Sequence, residues 1–364
     1  MLLNNLLFIA LACIALSAGA RSITVLDADD NSPVAAATVF GKGGNIIGMT
    51  GTDGDISGIS TADLPLTVRC LGYEPLTVAE IADRLYMTPG SFELGEFVVT
   101  PQDRPILRIV CYIREYSGGV TSTDTIQSFA EHMGDFYIPT AKVKKFKGNT
   151  SPRILKSLLY ERHASKDGTD SVSRPDYRRD DISWLDLVMI PKETVTETAA
   201  IAGGANVDSV AGKHGLKSLI RKTDGVYVTK SDYLADKKDH SWSPAFFKLL
   251  GFTIDIKNMV GSWAYRANDA GQYRPADLLY GTFALDITGR GKWIKKAFKS
   301  DAPVQMNGLF EIYPVKFEHL TVEEAQEQLH HKAPPTKFER SPLATPLPPS
   351  VRSLVERVRA LEAK

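Results

Sequence analysis

Short stretches of alternating apolar residues, broken by Gly, Asp, Asn and Pro, run from residue 22 to residue 100. Alternation with a period of two places every second side chain on the same face of a strand. The most strand-like stretch is 66–71, and TDGD at 52–55 is typical of a tight turn in which Gly54 takes a positive φ. The other predicted strands are 23–26, 34–40, 46–50 and 92–100. The pattern predicts a small antiparallel β-sandwich over residues 21–100.

Four segments of this module resemble the carboxypeptidase regulatory-like domain, which is a transthyretin-like β-sandwich. They are SPVAAATV at 32–39, GTDGD at 51–55, LPLTVRCLGYE at 64–74 and LGEFVV at 94–99. In that family the domain is an accessory module, common at the start of exported and outer-membrane proteins of the Bacteroidetes type. The resemblance, limited to about residues 22–100, therefore implies an exported protein and assigns no catalytic residue.

The first twenty residues, MLLNNLLFIALACIALSAGA, have the composition of a secretory signal peptide. An apolar run from Leu6 to Leu16 is followed by the small residues 18–20, which predicts cleavage before Arg21. The run is shorter than the roughly 20 residues that a membrane span needs, and no later segment has the unbroken apolar length of a transmembrane helix. We expect an exported protein, in the periplasm or associated with the outer membrane, with no transmembrane span in the mature chain.

The charges are balanced, with 43 basic and 43 acidic side chains in the whole sequence. No net field draws the chain to nucleic acid, so we expect no nucleic-acid partner. Two cysteines follow the signal peptide, Cys70 and Cys111, and each alternates with apolar residues in a predicted strand. This position predicts buried thiols, while the pairing of the two in an oxidising compartment stays open.

Residues 101–332 predict a β-rich α+β domain with an antiparallel sheet. The segment 106–116, ILRIVCYIREY, alternates as a half-buried strand. Its expected inward residues are Leu107, Ile109, Cys111 and Ile113, and its expected outward residues are Arg108, Tyr112 and Arg114. Further predicted strands are 185–190, 226–229, 252–256, 280–287 and 309–317.

Helices are expected at four places after residue 100. Ser122 or Thr123 can cap a helix that extends to about Phe136 and carries the apolar stripe Ile126, Phe129, Ala130 and Met133. Ser243 and Pro244 begin a short helix that ends before Gly251, and TVEE at 321–324 is a capping box. A proline-rich linker and an amphipathic helix over 333–364 follow, with the helix expected to dock on its own domain. The apolar stripe of this last helix is Val351, Leu354, Val355, Val358 and Leu361.

Motifs of common catalytic and metal sites are absent, since HExxH, GxSxG and SxxK do not occur. His132 and Asp135 have an H-x-x-D spacing, which we interpret as two solvated residues of the predicted helix. Asp27, Asp29 and Asn31 alternate as in a calcium loop, but Ser32 stands where such a loop needs Gly. We therefore predict no catalytic residue, no metal site and no cofactor.

One aromatic cluster is a candidate ligand site. Trp263, Tyr265 and Tyr273 lie near polar residues in the sequence, a composition that suits stacking on sugar rings. The alternative is a β-hairpin with ordinary cross-strand aromatic pairs.

The resulting hypothesis is an exported, non-enzymatic envelope protein. Its sandwich would be a docking or spacer module, and its second domain would bind a protein or glycan partner. One alternative is a hydrolase or peptidase whose residues come together only in space. Another is a periplasmic carrier of lipid or lipoprotein that uses the apolar concave face of a curved sheet.

Overall fold

A computed structural model describes residues 21–90, 104–176 and 207–363, with gaps at 52, 122, 145, 147, 150, 213–214, 222–224, 235–236, 244, 246–247, 249–250, 268–273, 299 and 332–335. The chain divides into two compact units, Met1–Ser91 and Phe92–Lys364. The predicted signal peptide and the predicted strands 92–100 and 185–190 lie outside the described residues. Among the helices that are described, none is both long and apolar enough to cross a membrane.

The first unit contains two small sheets. One has the order β4-β1-β7, and the other has the order β3-β2-β5-β6. The strands are β1 (Arg21–Asp27), β2 (Thr38–Phe40), β3 (Ile46–Met49), β4 (Asp55–Ile59), β5 (Leu66–Arg69), β6 (Leu76–Val78) and β7 (Arg84–Met87), with a 3-10 turn at Thr61–Asp63. Val25 of the first sheet and Val39 and Val68 of the second belong to one buried apolar cluster. The predicted sandwich is confirmed. Its described strand pairs are antiparallel, as predicted, except that β1 and β7 pair in parallel.

The second unit is built on a ten-stranded antiparallel sheet in the order β11-β10-β9-β8-β17-β16-β15-β14-β13-β12. The chain runs outward from the centre to one edge, and then from the other edge back to the centre, where β17 pairs with β8. The strands are β8 (Ile106–Val120), β9 (Asp124–Pro139), β10 (Arg153–Ser165), β11 (Asp170–Ser173), β12 (Val207–Gly212), β13 (Gly215–Arg221), β14 (Val226–Asp232), β15 (Phe252–Arg266), β16 (Leu278–Gly291) and β17 (Val304–Leu320). The expected α+β domain with an antiparallel sheet is confirmed.

Three described helices accompany the sheet: α1 (Lys292–Phe298), α2 (Val322–His330) and α3 (Pro349–Glu362). Short 3-10 turns lie at Lys238–His240 and Pro275–Asp277. Thr321 and Glu324 form the predicted capping box of α2. Helix α3 packs on β10 and β11 of its own unit, as expected, and Leu361 of its predicted stripe is exposed. Most of the predicted helix between Ser243 and Gly251 lies outside the described residues.

The predicted helix over 122–136 is wrong, because this segment is most of strand β9. Its apolar residues occur at spacings of three and four, which suit a helix. In the strand they divide between the two faces, since Ala130 pairs with Glu115 while Phe129 pairs with Tyr116. Both faces of β9 are covered, so apolar side chains are stabilised on both and the alternation that marks a half-buried strand is lost.

The two faces of the large sheet differ in chemistry. One, here called the apolar face, carries Leu107, Ile109, Cys111 and Ile113 of β8, as predicted. The opposite face carries Arg108, Tyr112 and Arg114, which were expected to point to solvent. That expectation is wrong, since Tyr112 is fully buried and Arg114 is 6% exposed. Helix α2, the segment 336–348 and helix α3 cover this second face.

Both cysteines are present as thiols. Cys111 is fully buried, and desolvation raises the pKa of its thiol well above the ordinary value. Cys70 follows β5 and is partly buried, with Sγ 3.7 Å from the carbonyl oxygen of Ala35. Each therefore contributes mainly as a small apolar group.

Candidate functional site

A segment without regular helix or strand, residues 336–348, crosses the second face of the large sheet. We call this segment the strap and the sheet face beneath it the strap face. The main ionic contact is between Arg340 of the strap and Glu131 of β9. Nε and Nη2 of Arg340 donate to the two oxygens of Glu131 at 3.0 and 3.1 Å. Two parallel hydrogen bonds between a guanidinium and a carboxylate fix both distance and orientation.

Glu131 is almost completely removed from solvent, with 5% of its side chain exposed. Burial alone would raise its pKa, but hydrogen bonds from Arg340 and Tyr112 outweigh burial and hold the pKa below its ordinary value. Glu131 is therefore a buried anion whose charge is matched by a cation from the strap.

Arg114 supplies the second polar contact with the strap. Its Nη1 donates to the backbone oxygen of Thr345, and its Nε donates to the hydroxyl of Tyr112 at 3.1 Å. Glu311 lies 3.5 Å from Arg114 Nη1 and also accepts a hydrogen bond from Tyr116 at 3.0 Å. The strap face thus offers a carboxylate for a cation and a guanidinium for a backbone carbonyl.

Aromatic rings form the floor around these charged groups. Tyr112 and Tyr313 stack with ring centroids 6.2 Å apart, and the guanidinium of Arg114 lies over both rings. Phe129 of β9 contacts Tyr116 and Tyr160, at 5.2 and 6.0 Å between centroids. Such a floor gives a covering segment a large apolar contact area. The strap also contributes an aromatic ring, since Phe338 lies under the ammonium of Lys156.

A second ionic cluster lies under α2, at the other end of β9. Asp135 is fully buried and accepts hydrogen bonds from Arg108 and Arg153. The hydroxyl of Tyr137 donates to Oε1 of Gln328, which anchors α2 to the sheet. The interpretation of His132 and Asp135 as solvated helix residues is therefore wrong. Both are buried in a strand, because helix α2 covers one of its faces and the core covers the other.

His132 lies on the apolar face, where it bridges two polar side chains. Its Nδ1 is 2.7 Å from Oγ of Ser157 in β10, and its Nε2 is 3.2 Å from Oε2 of Glu115 in β8. A β-bulge between Ile154 and Lys156 shifts the register of β10, so Ser157 pairs with His132. Without this bulge Lys156 would occupy the position opposite His132. The bulge therefore completes a chain of hydrogen bonds from serine through histidine to a carboxylate.

The aromatic cluster predicted from the sequence lies elsewhere. Trp263 and Tyr265 are in β15, where they belong to the apolar core with exposures of 0% and 2%. In this position the two rings are not available for stacking on a ligand. Tyr273 lies outside the described residues, so its part in binding stays a prediction.

The segment with calcium-loop alternation is held by hydrogen bonds within the protein. Asp27 accepts from the hydroxyl of Tyr73 at 2.7 Å and from the backbone N–H of Asp29 at 2.9 Å. Within the described ranges, no group of three or more His, Cys, Asp or Glu residues is arranged to hold a metal ion.

Several residues of these sites were not identified from the sequence, among them Glu131, Ser157 and Arg340. Arg340 lies in the proline-rich segment that is predicted as a linker, and Glu131 lies in the segment that is wrongly predicted as a helix. An acidic residue close in sequence to Phe129, Ala130 and Met133 is the signal that points to a buried ion pair. The bulge before Ser157 leaves no comparable mark in the sequence.

Comparisons with known proteins give little further information. No family model matches the chain, and no curated protein matches it. One solved structure, described as "lipid-protein interactions in lipovitellin", is similar over 61% of this chain and 26% of its own. The identity is 9% and the TM-score is 0.30, a value too low to indicate a shared fold.

Proposed function

We propose that the protein is an exported cell-envelope binding protein whose second unit binds an extended polypeptide segment on the strap face. The sandwich of the first unit acts as a docking or spacer module. The observation that carries the proposal is the pairing of Arg340 with Glu131. This pairing shows that the strap face already binds one irregular polypeptide segment, the strap itself, at a buried carboxylate.

The chemistry of the strap face favours a particular class of partner. Glu131 accepts a cationic side chain, Arg114 donates to a backbone carbonyl, and the tyrosines around them provide apolar contact. The strap has prolines at 342, 346 and 348. Proline-containing segments bind well to aromatic-lined surfaces because they lose little conformational entropy on binding. The partner is therefore a protein with an extended, proline-containing segment that carries an arginine.

Export is supported by two features of the sequence. Residues 1–20 have the composition of a secretory signal, with small residues at 18–20 that predict cleavage before Arg21. The resemblance of residues 22–100 to the carboxypeptidase regulatory-like domain supports the same compartment. N-terminal sequencing of the protein from a fractionated native envelope tests this part, with Arg21 expected as the first residue.

The strap competes with any partner for the same surface. A tethered segment acts at an effective concentration on the order of millimolar, so a separate peptide binds weakly while the strap is in place. Weakening the contact between Arg340 and Glu131 should therefore expose the site to a partner without changing the sheet beneath it.

Fluorescence anisotropy with a labelled peptide of residues 336–348 tests the binding site. The full-length R340A protein should bind this peptide about tenfold or more tightly than the unsubstituted protein. A peptide with alanine in place of the arginine, and an R340A protein that also carries E131Q, are the matched controls, and both should bind weakly. Equal binding of the two peptides by R340A would contradict the proposal.

The natural partner can then be identified with the same peptide. The tagged protein is crosslinked in its native envelope, and captured proteins are identified by mass spectrometry. A stoichiometric partner that excess 336–348 peptide displaces supports the proposal. A captured protein that the peptide does not displace uses another surface and would contradict the assignment of the strap face.

A further inference from the structure

We propose that Ser157, His132 and Glu115 form an acyl-transfer site that hydrolyses uncharged carboxylic esters. The site lies on the apolar face of the sheet, opposite the strap face, so it goes beyond the binding function and does not depend on it. The geometry that carries the inference is the continuous chain from Ser157 Oγ to His132 and on to Glu115, with contacts of 2.7 and 3.2 Å.

The hydrogen-bond partners assign the proton on the imidazole of His132. An ionised carboxylate only accepts hydrogen bonds, so the hydrogen is on Nε2 and points to Glu115. Nδ1 then presents its lone pair to the hydroxyl of Ser157. In this state His132 is a general base for Ser157, and Glu115 is a positioning residue that holds the ring and stabilises its protonated form.

The base and the nucleophile differ in solvent exposure. His132 is fully buried and Glu115 is 8% exposed, whereas Ser157 is partly exposed. A substrate can therefore approach the hydroxyl while the imidazole stays fixed in the sheet. This arrangement suits a general base, because a base that is already held in place loses little conformational entropy on reaching the transition state.

Strand β10 also offers hydrogen-bond donors beside Ser157. Strand β11 pairs with β10 only from Glu161 to Ala164. Among the described strands, none pairs with the outer edge of β10 between Arg153 and Tyr160. In an antiparallel strand alternate N–H groups point to each edge, so N–H groups of this stretch face outward and can donate to an oxyanion.

The neighbouring side chains favour an uncharged substrate. Ile154 and Leu159 flank Ser157 on the same strand face, and Ala130 faces the site from β9. Glu161 lies further along that face, where it accepts a hydrogen bond from Ser128 at 3.4 Å. Two carboxylates, Glu115 and Glu161, repel an anionic substrate, while the apolar and small side chains accommodate an acyl chain.

The reaction proceeds in two balanced steps. In the first, Ser157 Oγ attacks the ester carbonyl carbon and its proton passes to Nδ1 of His132. The bond from that carbon to the alcohol oxygen breaks, and the alcohol leaves with the proton from Nδ1. In the second, water attacks the acyl carbon and gives a proton to Nδ1. The bond to Oγ breaks, the carboxylic acid leaves, and Ser157 recovers its proton.

Labelling of the full-length protein with a fluorophosphonate probe tests the site. Mass spectrometry of the digested protein should locate the adduct at Ser157, and S157A should lose it. S128A replaces another serine of the same sheet face and should be labelled like the unsubstituted protein. Absence of labelling, or an adduct on another residue, would overturn the proposal.

Steady-state hydrolysis of p-nitrophenyl butyrate tests the roles of the other two residues. H132Q should lower kcat by about 10²–10⁴-fold, while E115Q should lower kcat and leave KM unchanged. H163Q is the matched control, since His163 pairs with Asp124 away from Ser157. Circular dichroism confirms that each variant is folded. An unchanged kcat in a folded H132Q protein would exclude His132 as the base.

Discussion

The guanidinium of Arg153 contacts both oxygens of the Asp135 carboxylate, with Nε 3.0 Å from Oδ1 and Nη2 2.8 Å from Oδ2. Arg108 approaches the same carboxylate at 2.9 Å from its other side. Asp135 has no exposed side-chain area, and the two arginine side chains are only 15% and 13% exposed. Asp135 is therefore shared by two largely buried cations beneath α2, and Arg108 also donates to Glu318 at 2.6 Å.

Replacement of Asp135 by asparagine should destabilise the second unit strongly. D135N leaves Arg108 and Arg153 buried without their shared anion, and loss of one partner from a buried ionic cluster costs about 3–5 kcal/mol. The change in free energy of unfolding can be measured by urea denaturation. D301N removes a carboxylate that is 82% exposed in its pair with Lys295, and it should leave the denaturation midpoint unchanged.

Two leucines of α3 allow the docking of this helix to be measured. Leu354 is 2% exposed, whereas Leu361 is 54% exposed on the same helix. L354A should cost about 2–5 kcal/mol and increase amide exchange throughout α3, because it removes buried apolar contact. L361A makes the same chemical change at an exposed position. Equal effects of the two variants would show that α3 is not docked through Leu354.

The sequence predicts the fold best where one face of a strand differs from the other. The strands β8 and β14–β17 were predicted, and so were α2 and α3, because their periodicity and caps are strong. Strand β9 was mistaken for a helix because buried residues occupy both of its faces. Tertiary burial overrides local periodicity at such a position.

The candidate sites were harder to predict because their residues are distant in sequence. Arg340 and Glu131 are separated by 209 residues, and His132 and Ser157 by 25. A single arginine in a proline-rich segment carries no information about the strand that it will cross. The bulge that aligns Ser157 with His132 is likewise a property of strand pairing. Trp263 and Tyr265 are the opposite case. They are close in sequence and were predicted to form a ligand site, but their alternation marks the buried face of a strand.

The hydroxyl of Tyr73 should stabilise the first unit through Asp27. Asp27 is 7% exposed, and burial together with this hydrogen bond raises the pKa of Tyr73 above its ordinary value. Y73F removes one donor from a buried carboxylate, which should cost about 1–3 kcal/mol in thermal or urea unfolding. Y86F changes a tyrosine that is 45% exposed and should have little effect.

The salt bridges of Asp170 should make the docking of α3 sensitive to acid. Arg162 and Arg357 hold the pKa of Asp170 at about 2, below the ordinary value of 3.8. Because the folded pKa is lowered, this contribution to stability is complete above about pH 4 and is lost as the pH falls towards 2. This contribution to stability is small, since both side chains of the salt bridge between Asp170 and Arg357 are 40% exposed.

Carbon-13 NMR titration of the Asp170 carboxyl measures this pKa directly. R357A should raise it only part of the way to its ordinary value, because Arg162 still contacts Asp170 at 2.9 Å. R352A removes an arginine of the same helix that contacts the carbonyl oxygen of Leu347, and it should leave the pKa unchanged. An unchanged pKa in R357A would mean that α3 does not hold Asp170 in solution.

Gly281 should be required for the burial of Trp263. A Cβ atom on Gly281 would lie 2.1 Å from Cε3 of Trp263, whose ring is fully buried. G281A therefore forces the ring to move within a closely packed core, at a cost of about 1–3 kcal/mol in urea unfolding. G308A, where the nearest atom to a new Cβ is 3.5 Å away, should be neutral or slightly stabilising because alanine loses less backbone entropy on folding.

A double variant separates this clash from other effects of the substitution. W263L creates space beside residue 281, so adding G281A to W263L should cost less than G281A alone. If the two changes are instead additive, the cost of G281A does not come from contact with the indole ring. The packing of β15 against β16 would then differ from the arrangement in which Trp263 lies over Gly281.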